Sequence, residues 1–293
     1  MRIGVIGGGA IGLLLASYLR RQQHDITCYV KREEQAMELN QHGVTLLPNG
    51  ITYKVYGSSH TTFQSEDLYI VCLKQYHLTN FIDNLKMIPS NIPILFLQNG
   101  MGHIPLFGKF KNPIFVGVVE HGAIRHSDNT VEHTGAGKIR VGVYNEKHQP
   151  ILMRWIDILH RSSFPFVYEQ NWERTLKEKL IVNAVINPLT ALFQVRNGEV
   201  VSDDYIKTLA ERICLECSTA LHLPHGRMWE RIKEISVLTA KNESSMLKDI
   251  TLGRLTEIDA ILGYIINQSQ TYMPNTSFAY YAVKTIEKRR NSI

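Results

Sequence analysis

The sequence predicts an α/β protein, with a doubly wound sheet in its N-terminal half and an all-α C-terminal half. Three observations carry this. Short apolar runs alternate with helical segments to about residue 165, and a glycine-rich turn follows the first of those runs. Beyond about residue 170 the apolar spacing stays near the helical period.

Residues 1–6 (MRIGVI) read as a buried parallel strand, 13–21 as a helix and 26–30 as the next strand, which makes a βαβ opening. A second helix is expected over 35–42. Over 44–56 two β-rich runs flank Pro48-Asn49-Gly50, an Asn-Gly hairpin signal that implies an antiparallel excursion. Strands follow at 68–73 and 92–97 with a helix over 77–85 between them, then strand candidates at 114–120 and 138–143. Ser127-Asp128-Asn129 marks a turn. Helices are expected over 171–193, 203–222, 228–239, 247–270 and 277–290, with Pro224 and Pro274 punctuating the gaps. The expected domains are 1–168 and 169–293, a division consistent with a chain of 293 residues.

Composition narrows the function classes. With 44% hydrophobic and 20% charged residues the chain is an ordinary globular protein. Its net charge of +5 is spread along the sequence, and the one dense basic run, Lys288-Arg289-Arg290, suits a solvated helix end. Nucleic acid and membrane are therefore not expected as partners. Cys28, Cys72, Cys214 and Cys217 are too few and irregular for a disulfide framework. Cys214 and Cys217 form a single helical i, i+3 pair, and the twelve histidines include no HExxH, so no metal site is expected. Arg2 leads directly into a strand and no long apolar segment follows, so no leader peptide is expected and a cytoplasmic setting is.

Gly7-x-Gly9-x-x-Gly12, with Gly8, Ala10 and Ile11 between, stands between a strand and a helix. That context makes it the dinucleotide-binding fingerprint of a Rossmann-type domain. The glycines allow a tight turn, approach of the pyrophosphate and close helix–strand packing, and the helix N-terminus presents its N–H groups to the anion. The end of the second strand selects the cofactor. A carboxylate there bonds the ribose hydroxyls of NAD, whereas this chain has Lys31-Arg32, whose charges suit the 2′-phosphate of NADP. Glu33-Glu34 directly after leaves a plain exposed basic pair as the alternative. Lys74 and Gln98-Asn99-Gly100-Met101-Gly102 close two later strands, where open α/β sheets bind ligands.

In the helical half, Lys179, Asn183 and Asn187 stand at i, i+4 and i+8, a polar stripe in an otherwise apolar helix. Pro188 next removes a backbone hydrogen bond and is expected to kink that helix. The stripe fits either a polar cleft or an exposed face. Ser244-Ser245 and Glu257 form a second polar group. Glu257 is read on a helix with Ile258, Ile261 and Leu262, as a partner for a substrate or a lysine.

Taken in order, the motifs are Gly7–Gly12, Leu73-Lys74, Gln98–Gly102, Lys179-Leu180-x-x-Asn183-x-x-x-Asn187-Pro188-Leu189-Thr190-Ala191, Asn197-Gly198-Glu199, Ser244-Ser245-Met246-Leu247-x-Asp249 and Thr256-Glu257-Ile258-Asp259. Together they resemble the ketopantoate reductases (2-dehydropantoate 2-reductases). The resemblance implies a Rossmann domain joined to an all-α domain, with the active site in the cleft between them. It implies reduction of 2-dehydropantoate by NADPH to (R)-pantoate, on the way to pantothenate and coenzyme A. It makes Lys179 the catalytic lysine and Glu257 its acidic partner, with Glu257 also near the cofactor. Asn99, Asn183, Asn187, Asn197 and Ser245 become substrate-binding residues. Lys31 or Arg32 takes the 2′-phosphate, and Lys74 and Asn99 lie near the nicotinamide. Glu120 departs from the small hydroxyl residue usual in such relatives, which opens the substrate preference.

Hydride addition to a ketone builds charge on oxygen, and an ammonium group stabilises it and donates the proton. Two other readings stay open: reduction of another branched 2-oxo acid, and a nicotinamide sensor without catalysis. The expected partner is a small 2-oxo acid, and the expected state is a monomer or homodimer.

Overall fold

The structure is a computed structural model that describes residues 1–60 and 63–290. It divides into two compact units. The first comprises Met1–Gln98 and His103–Trp172, and the second Asn99–Gly102 with the chain from Glu173 onward.

The first unit opens with β1 (Arg2–Ile6), α1 (Ala10–Arg21), β2 (Asp25–Tyr29) and α2 (Glu33–His42). Three short strands follow: β3 (Val44–Leu47), β4 (Ile51–Tyr53) and β5 (Tyr56–Ser58). Then come β6 (Leu68–Val71), α3 (Gln75–Leu85), β7 (Ile94–Phe96) and β8 (Ile114–Val119). The unit closes with β9 (Gly122–Arg125), β10 (Thr130–Gly135), β11 (Ile139–Val143), α4 (Gln149–Leu159) and β12 (Phe166–Tyr168).

Eight strands form one sheet in the order β12-β11-β8-β7-β6-β1-β2-β5. Strands β6, β7 and β8 are buried along their whole length, which is why they read as unbroken apolar runs. Strand β1 pairs in parallel with β2 on one side and β6 on the other. The strand order reverses there, and ligands of open α/β sheets bind at such a point, beyond the carboxyl ends of the strands. The departure from a parallel sheet is β11, antiparallel to β8.

The excursion after α2 is more than a hairpin. β3 and β4 are antiparallel, as Asn49-Gly50 implies, but β3 also pairs in parallel with β10 of the β9–β10 hairpin. The resulting four-stranded sheet, β4-β3-β10-β9, meets α1 on the side away from the large sheet. Lying between two sheets, α1 buries Leu13, Leu14, Leu15, Ala16, Ser17 and Leu19. Its sequence is apolar nearly all round for that reason.

Helix α4 has no counterpart in the sequence expectations. Its buried Leu152, Trp155, Ile156 and Leu159 nevertheless fall at the helical period.

In the second unit the described residues form helices and no named strand. They are α5 (Trp172–Phe193, beginning one residue before the unit), α6 (Glu199–Ser202), α7 (Asp204–Ala220) and α8 (His225–Leu238), followed by α9 (Ser245–Thr251), α10 (Tyr264–Gln268) and α11 (Pro274–Arg290). No helix among the described residues is long and apolar enough to cross a membrane.

Two sequence expectations need correction here. The continuous helix expected over 247–270 is broken. Helix α9 stops at Thr251 and Gly253 takes φ +65°, and helix resumes only in a π-helical turn over Asp259–Gly263 that runs into α10. Side chains hold the interruption open: Glu287 of α11 accepts from Thr256 N (2.8 Å) and Thr256 Oγ1 (2.7 Å). Glu257 therefore stands at the mouth of the helical segment rather than within it. Pro274, expected between helices, is instead the first residue of α11, where its missing N–H costs nothing.

Candidate active site

The glycine loop leaves β1 where Gly7 N donates to Tyr29 O (2.8 Å) and Cys72 N donates to Ile6 O (2.8 Å). Gly7 has φ +113°, which suits glycine alone, and a Cβ on Gly12 would lie 1.8 Å from Gly7 O. A Cβ on Gly9, by contrast, would meet nothing within 4 Å. Gly9 caps α1, and among the described residues no side chain caps the helix's first N–H groups. The loop thus has open space above it and donors beneath that space, an arrangement that fits a pyrophosphate.

Lys31 is exposed just past β2, and Arg32 is the residue that opens α2. Arg32 pairs with Asp128 at the tip of the β9–β10 hairpin. Arg125 Nη1 lies 3.7 Å from the same carboxylate and donates to Gly8 O (3.2 Å). Buried Gln35 donates from Nε2 both to Gly8 O (2.9 Å) and to Asp128 O (2.9 Å). Sequence reasoning missed Gln35, Arg125 and Asp128 as neighbours of the loop. The only signal was the turn at Ser127-Asp128-Asn129, and nothing local says where a hairpin tip will land.

Lys74 opens α3 at the end of β6, its ammonium 6.0 Å from the centre of the Tyr76 ring. Burial, then the charges of Lys31 and Lys74, hold His77 below the ordinary histidine range. Both cations therefore act on one imidazole beside the carboxyl ends of β2 and β6.

In the second unit α5 buries Leu180, Ile181, Val182, Ala184, Val185 and Ile186, so its polar stripe stands out against an apolar body. Lys179 and Asn183 on the stripe are half-buried and Asn187 is buried. Lys179 Nζ donates to Asn99 Oδ1 (2.9 Å), and Asn99 Nδ2 donates to Glu257 Oε2 (3.3 Å). Chemistry fixes the direction of this chain. Lysine only donates and an ionised carboxylate only accepts, so the amide must turn its oxygen to one and its nitrogen to the other.

Backbone features place the amide and the carboxylate. Gly100 takes φ +80°, and a Cβ there would lie 2.4 Å from Ala260 O, so the Asn99–Gly102 loop packs directly on the π-helical turn. Glu257 follows Thr256, the residue pinned by Glu287.

The other residues named from the sequence are placed apart from that chain of bonds. Asn197 is buried and its Nδ2 donates to Thr239 Oγ1 (3.0 Å), while no partner for its Oδ1 is found among the described residues. Ser244 caps α9 by accepting from Leu247 N (3.0 Å), and Thr190 Oγ1 of α5 lies 2.7 Å from its hydroxyl. Ser245 is the exposed first residue of α9. Glu120 is held by Arg140 of β11 (2.9 Å), which also pairs with Glu169 (3.1 Å).

Three of the cysteines, Cys28, Cys214 and Cys217, are buried and Cys72 is partly buried. Burial pushes the Cys28 thiol up to about 12, raises Cys72, and lifts Cys214 and Cys217 to about 11 and about 12. Among the described residues no group of histidine, cysteine and carboxylate side chains could hold a metal ion.

A parallel sheet opening on this glycine loop, followed by a helical unit in which ammonium, amide and carboxylate share one chain of bonds, defines an oxidoreductase that uses a nicotinamide dinucleotide. Within that class, the chain belongs to the ketopantoate reductase PanE/ApbA family. It matches the family over residues 3–146 and the family's C-terminal region over 171–287.

Among curated relatives, 2-dehydropantoate 2-reductase of Bacillus subtilis is 39% identical over the full length of both chains. That of Listeria monocytogenes is 33% identical, covering 98% of this chain and 97% of the relative. A crystal structure of a probable 2-dehydropantoate 2-reductase from Bacillus subtilis superposes with a TM-score of 0.87 at 38% identity, covering 98% of this chain and all of the other. A D-mandelate dehydrogenase solved with NADH and anilino(oxo)acetate shares the fold at 21% identity and a TM-score of 0.92, covering 99% and 100% of the two chains.

Proposed function

We propose that this protein reduces 2-dehydropantoate to (R)-pantoate with NADPH, as a cytoplasmic enzyme acting as a monomer or homodimer on the route to pantothenate and coenzyme A. The observation that carries this reading is the Lys179–Asn99–Glu257 chain of bonds in a member of the ketopantoate reductase family. Residues 1–168 form the dinucleotide domain in this reading, and 169–293 the substrate and catalytic domain.

The bound nicotinamide supplies the hydride. Lys179 meets the keto oxygen, stabilises the charge that develops there and donates the proton that completes the alcohol. Asn99 accepts from the ammonium and so keeps Nζ in one position, and Glu257, bonded to the amide nitrogen, keeps Asn99 from turning over. Asn183, Asn187, Asn197 and Ser245 bind the substrate's carboxylate and hydroxyl groups. Asn197 suits this role because its buried Oδ1 still needs a donor.

On the cofactor side Gly7 to Gly12 hold the pyrophosphate, and Lys31 and Arg32 face the 2′-phosphate. The reading assigns Lys74, Asn99 and Glu257 to the cofactor as well.

The test is oxidation of NADPH with 2-dehydropantoate, repeated with NADH and with other branched 2-oxo acids. The expected result is a kcat/KM for 2-dehydropantoate well above that for the other acids, and for NADPH above NADH. Comparable values for several 2-oxo acids would overturn the substrate, and a preference for NADH would overturn the reading of Lys31 and Arg32.

A further inference from the structure

The proposed reaction leaves unused one feature beside the glycine loop, a carboxylate between two guanidinium groups. Asp128 pairs with Arg32 and lies 3.7 Å from Arg125, which itself donates to Gly8 O. All three side chains are partly exposed, so a ligand can reach them.

The main chain at Asp128 is held by bonds that do not involve its carboxylate. His126 N donates to Thr130 O (2.9 Å) across the hairpin tip, and Thr45 N donates to Asn129 O (2.8 Å). Ser127 Oγ bonds Asn129 Oδ1 (2.9 Å), and Gln35 holds Asp128 by its main-chain oxygen (2.9 Å). Main chain and neighbours deliver the residue to the end of β2, where its carboxylate meets Arg32 and Arg125.

That charge sits where the ribose of a dinucleotide is recognised. A carboxylate there accepts from the hydroxyls of an unphosphorylated ribose, and guanidinium groups pair with a 2′-phosphate. This chain has both. Asp128 cancels one of the positive charges that Arg32 and Arg125 would set against about −1.5 to −2 on a phosphate monoester. An arriving 2′-phosphate must take Arg32 and Arg125 from Asp128 and also tolerate the carboxylate nearby.

We infer that Asp128 sets the discrimination between NADPH and NADH. It competes with the 2′-phosphate for Arg32 and Arg125, and it gives the ribose hydroxyls of NADH an acceptor. The inference rests on the reading of Lys31 and Arg32 as the 2′-phosphate site. It makes Asp128 a specificity-determining residue that lowers the preference the arginines would otherwise impose.

The experiment uses the full chain and two fragments of the cofactor, adenosine 2′,5′-bisphosphate and adenosine 5′-diphosphate, titrated by calorimetry. The wild type is compared with Asp128→Asn, Asp128→Ser and Arg32→Met/Asp128→Asn, and kcat/KM is measured with NADPH and NADH. Either single substitution keeps the main-chain oxygen that Gln35 holds, so the two serve as independent tests of the charge.

The expected result is that loss of the carboxylate tightens the 2′,5′-bisphosphate roughly five-fold, as befits a partly exposed charge, and weakens the 5′-diphosphate roughly two-fold by taking an acceptor from its ribose hydroxyls. The NADPH-to-NADH ratio of kcat/KM rises in step, and the gain shrinks at high salt and when Arg32 is also replaced, Arg125 then being the remaining guanidinium partner. A wild type that does not favour the 2′,5′-bisphosphate overturns the NADP reading itself. A wild type that favours it, with substitutions that leave its affinity unchanged, weaken it, or weaken both fragments equally, overturns the role of Asp128 and leaves that reading standing.

Discussion

The two units build their polar sites from different materials. In the sheet unit the candidate anion donors are main-chain N–H groups at the start of α1, where among the described residues no side chain caps the helix. In the helical unit the array is made of side chains, and its bonds join residues 80 positions apart (Lys179 and Asn99) and 158 apart (Asn99 and Glu257). A main-chain site is damaged by adding atoms and a side-chain site by removing them. The first is written in a local pattern of glycines, and the second only in the tertiary fold.

The largest effect expected from that contrast is at Lys179. Replacement by alanine lowers kcat by about 100- to 10,000-fold, the range for loss of a positioned proton donor, while NADPH affinity stays within about two-fold. Near-normal turnover in this variant would break the comparison outright.

The glycine loop supplies the next test, because two of its glycines answer for different things. Gly12→Ala drives a Cβ to within 1.8 Å of Gly7 O and should cost about 1–3 kcal/mol of stability, read as a lowered Tm. Gly9→Ala adds a Cβ in open space, so Tm should hold while the Kd for NADPH rises at least about ten-fold. A Gly9→Ala protein that binds NADPH normally would remove the pyrophosphate from the loop.

Acid should act first on the sheet unit. Burial lowers His103 to about 3, and burial followed by the neighbouring His133 lowers His121 to about 4, against an ordinary 6.5. Both resist protonation when folded, so the unfolded chain takes up protons first as the pH falls. Stability is complete above about pH 6.5 and declines as the pH drops toward 4 and then 3, with about 2 kcal/mol lost at pH 5 through His103 alone. Urea midpoints at pH 7.5, 6 and 5 measure it, and His103→Phe should flatten the dependence.

The smallest expected effect lies in the helical unit. Ser244→Ala removes the cap of α9 and should cost about 1 kcal/mol in the same urea experiment, with no change in NADPH affinity.

Legibility in the sequence follows the same division. The strand, glycine turn and helix at the N-terminus were readable because three glycines and an apolar run sit side by side. The stripe on α5 was readable as a stripe, since i, i+4 and i+8 share a face of any helix. Its bonding partner was not, because Asn99 reaches Lys179 through a loop whose path depends on Gly100 packing against Ala260.

The break before Glu257 was hidden too. Helical periodicity continues across 247–270, and what interrupts it is Glu287, a carboxylate 31 residues beyond Thr256. Hairpin strands β9 and β10 were unmarked for a related reason. Half of their residues or more are only partly buried, so no run of apolar residues announces them.

The membership of Asn99–Gly102 in the helical unit bears on how the chain can be divided. A cut near residue 168 follows the change from sheet to helix, yet a fragment that starts there leaves those four residues behind. Such a fragment would keep Lys179 and Glu257 but lose the amide that bonds both, and the π-helical turn would lose the glycine packed against it. Swapping this helical region between relatives would therefore carry over a complete bond network only if the loop after β7 travelled with it. For design and for evolution alike, the exchangeable piece is discontinuous in sequence.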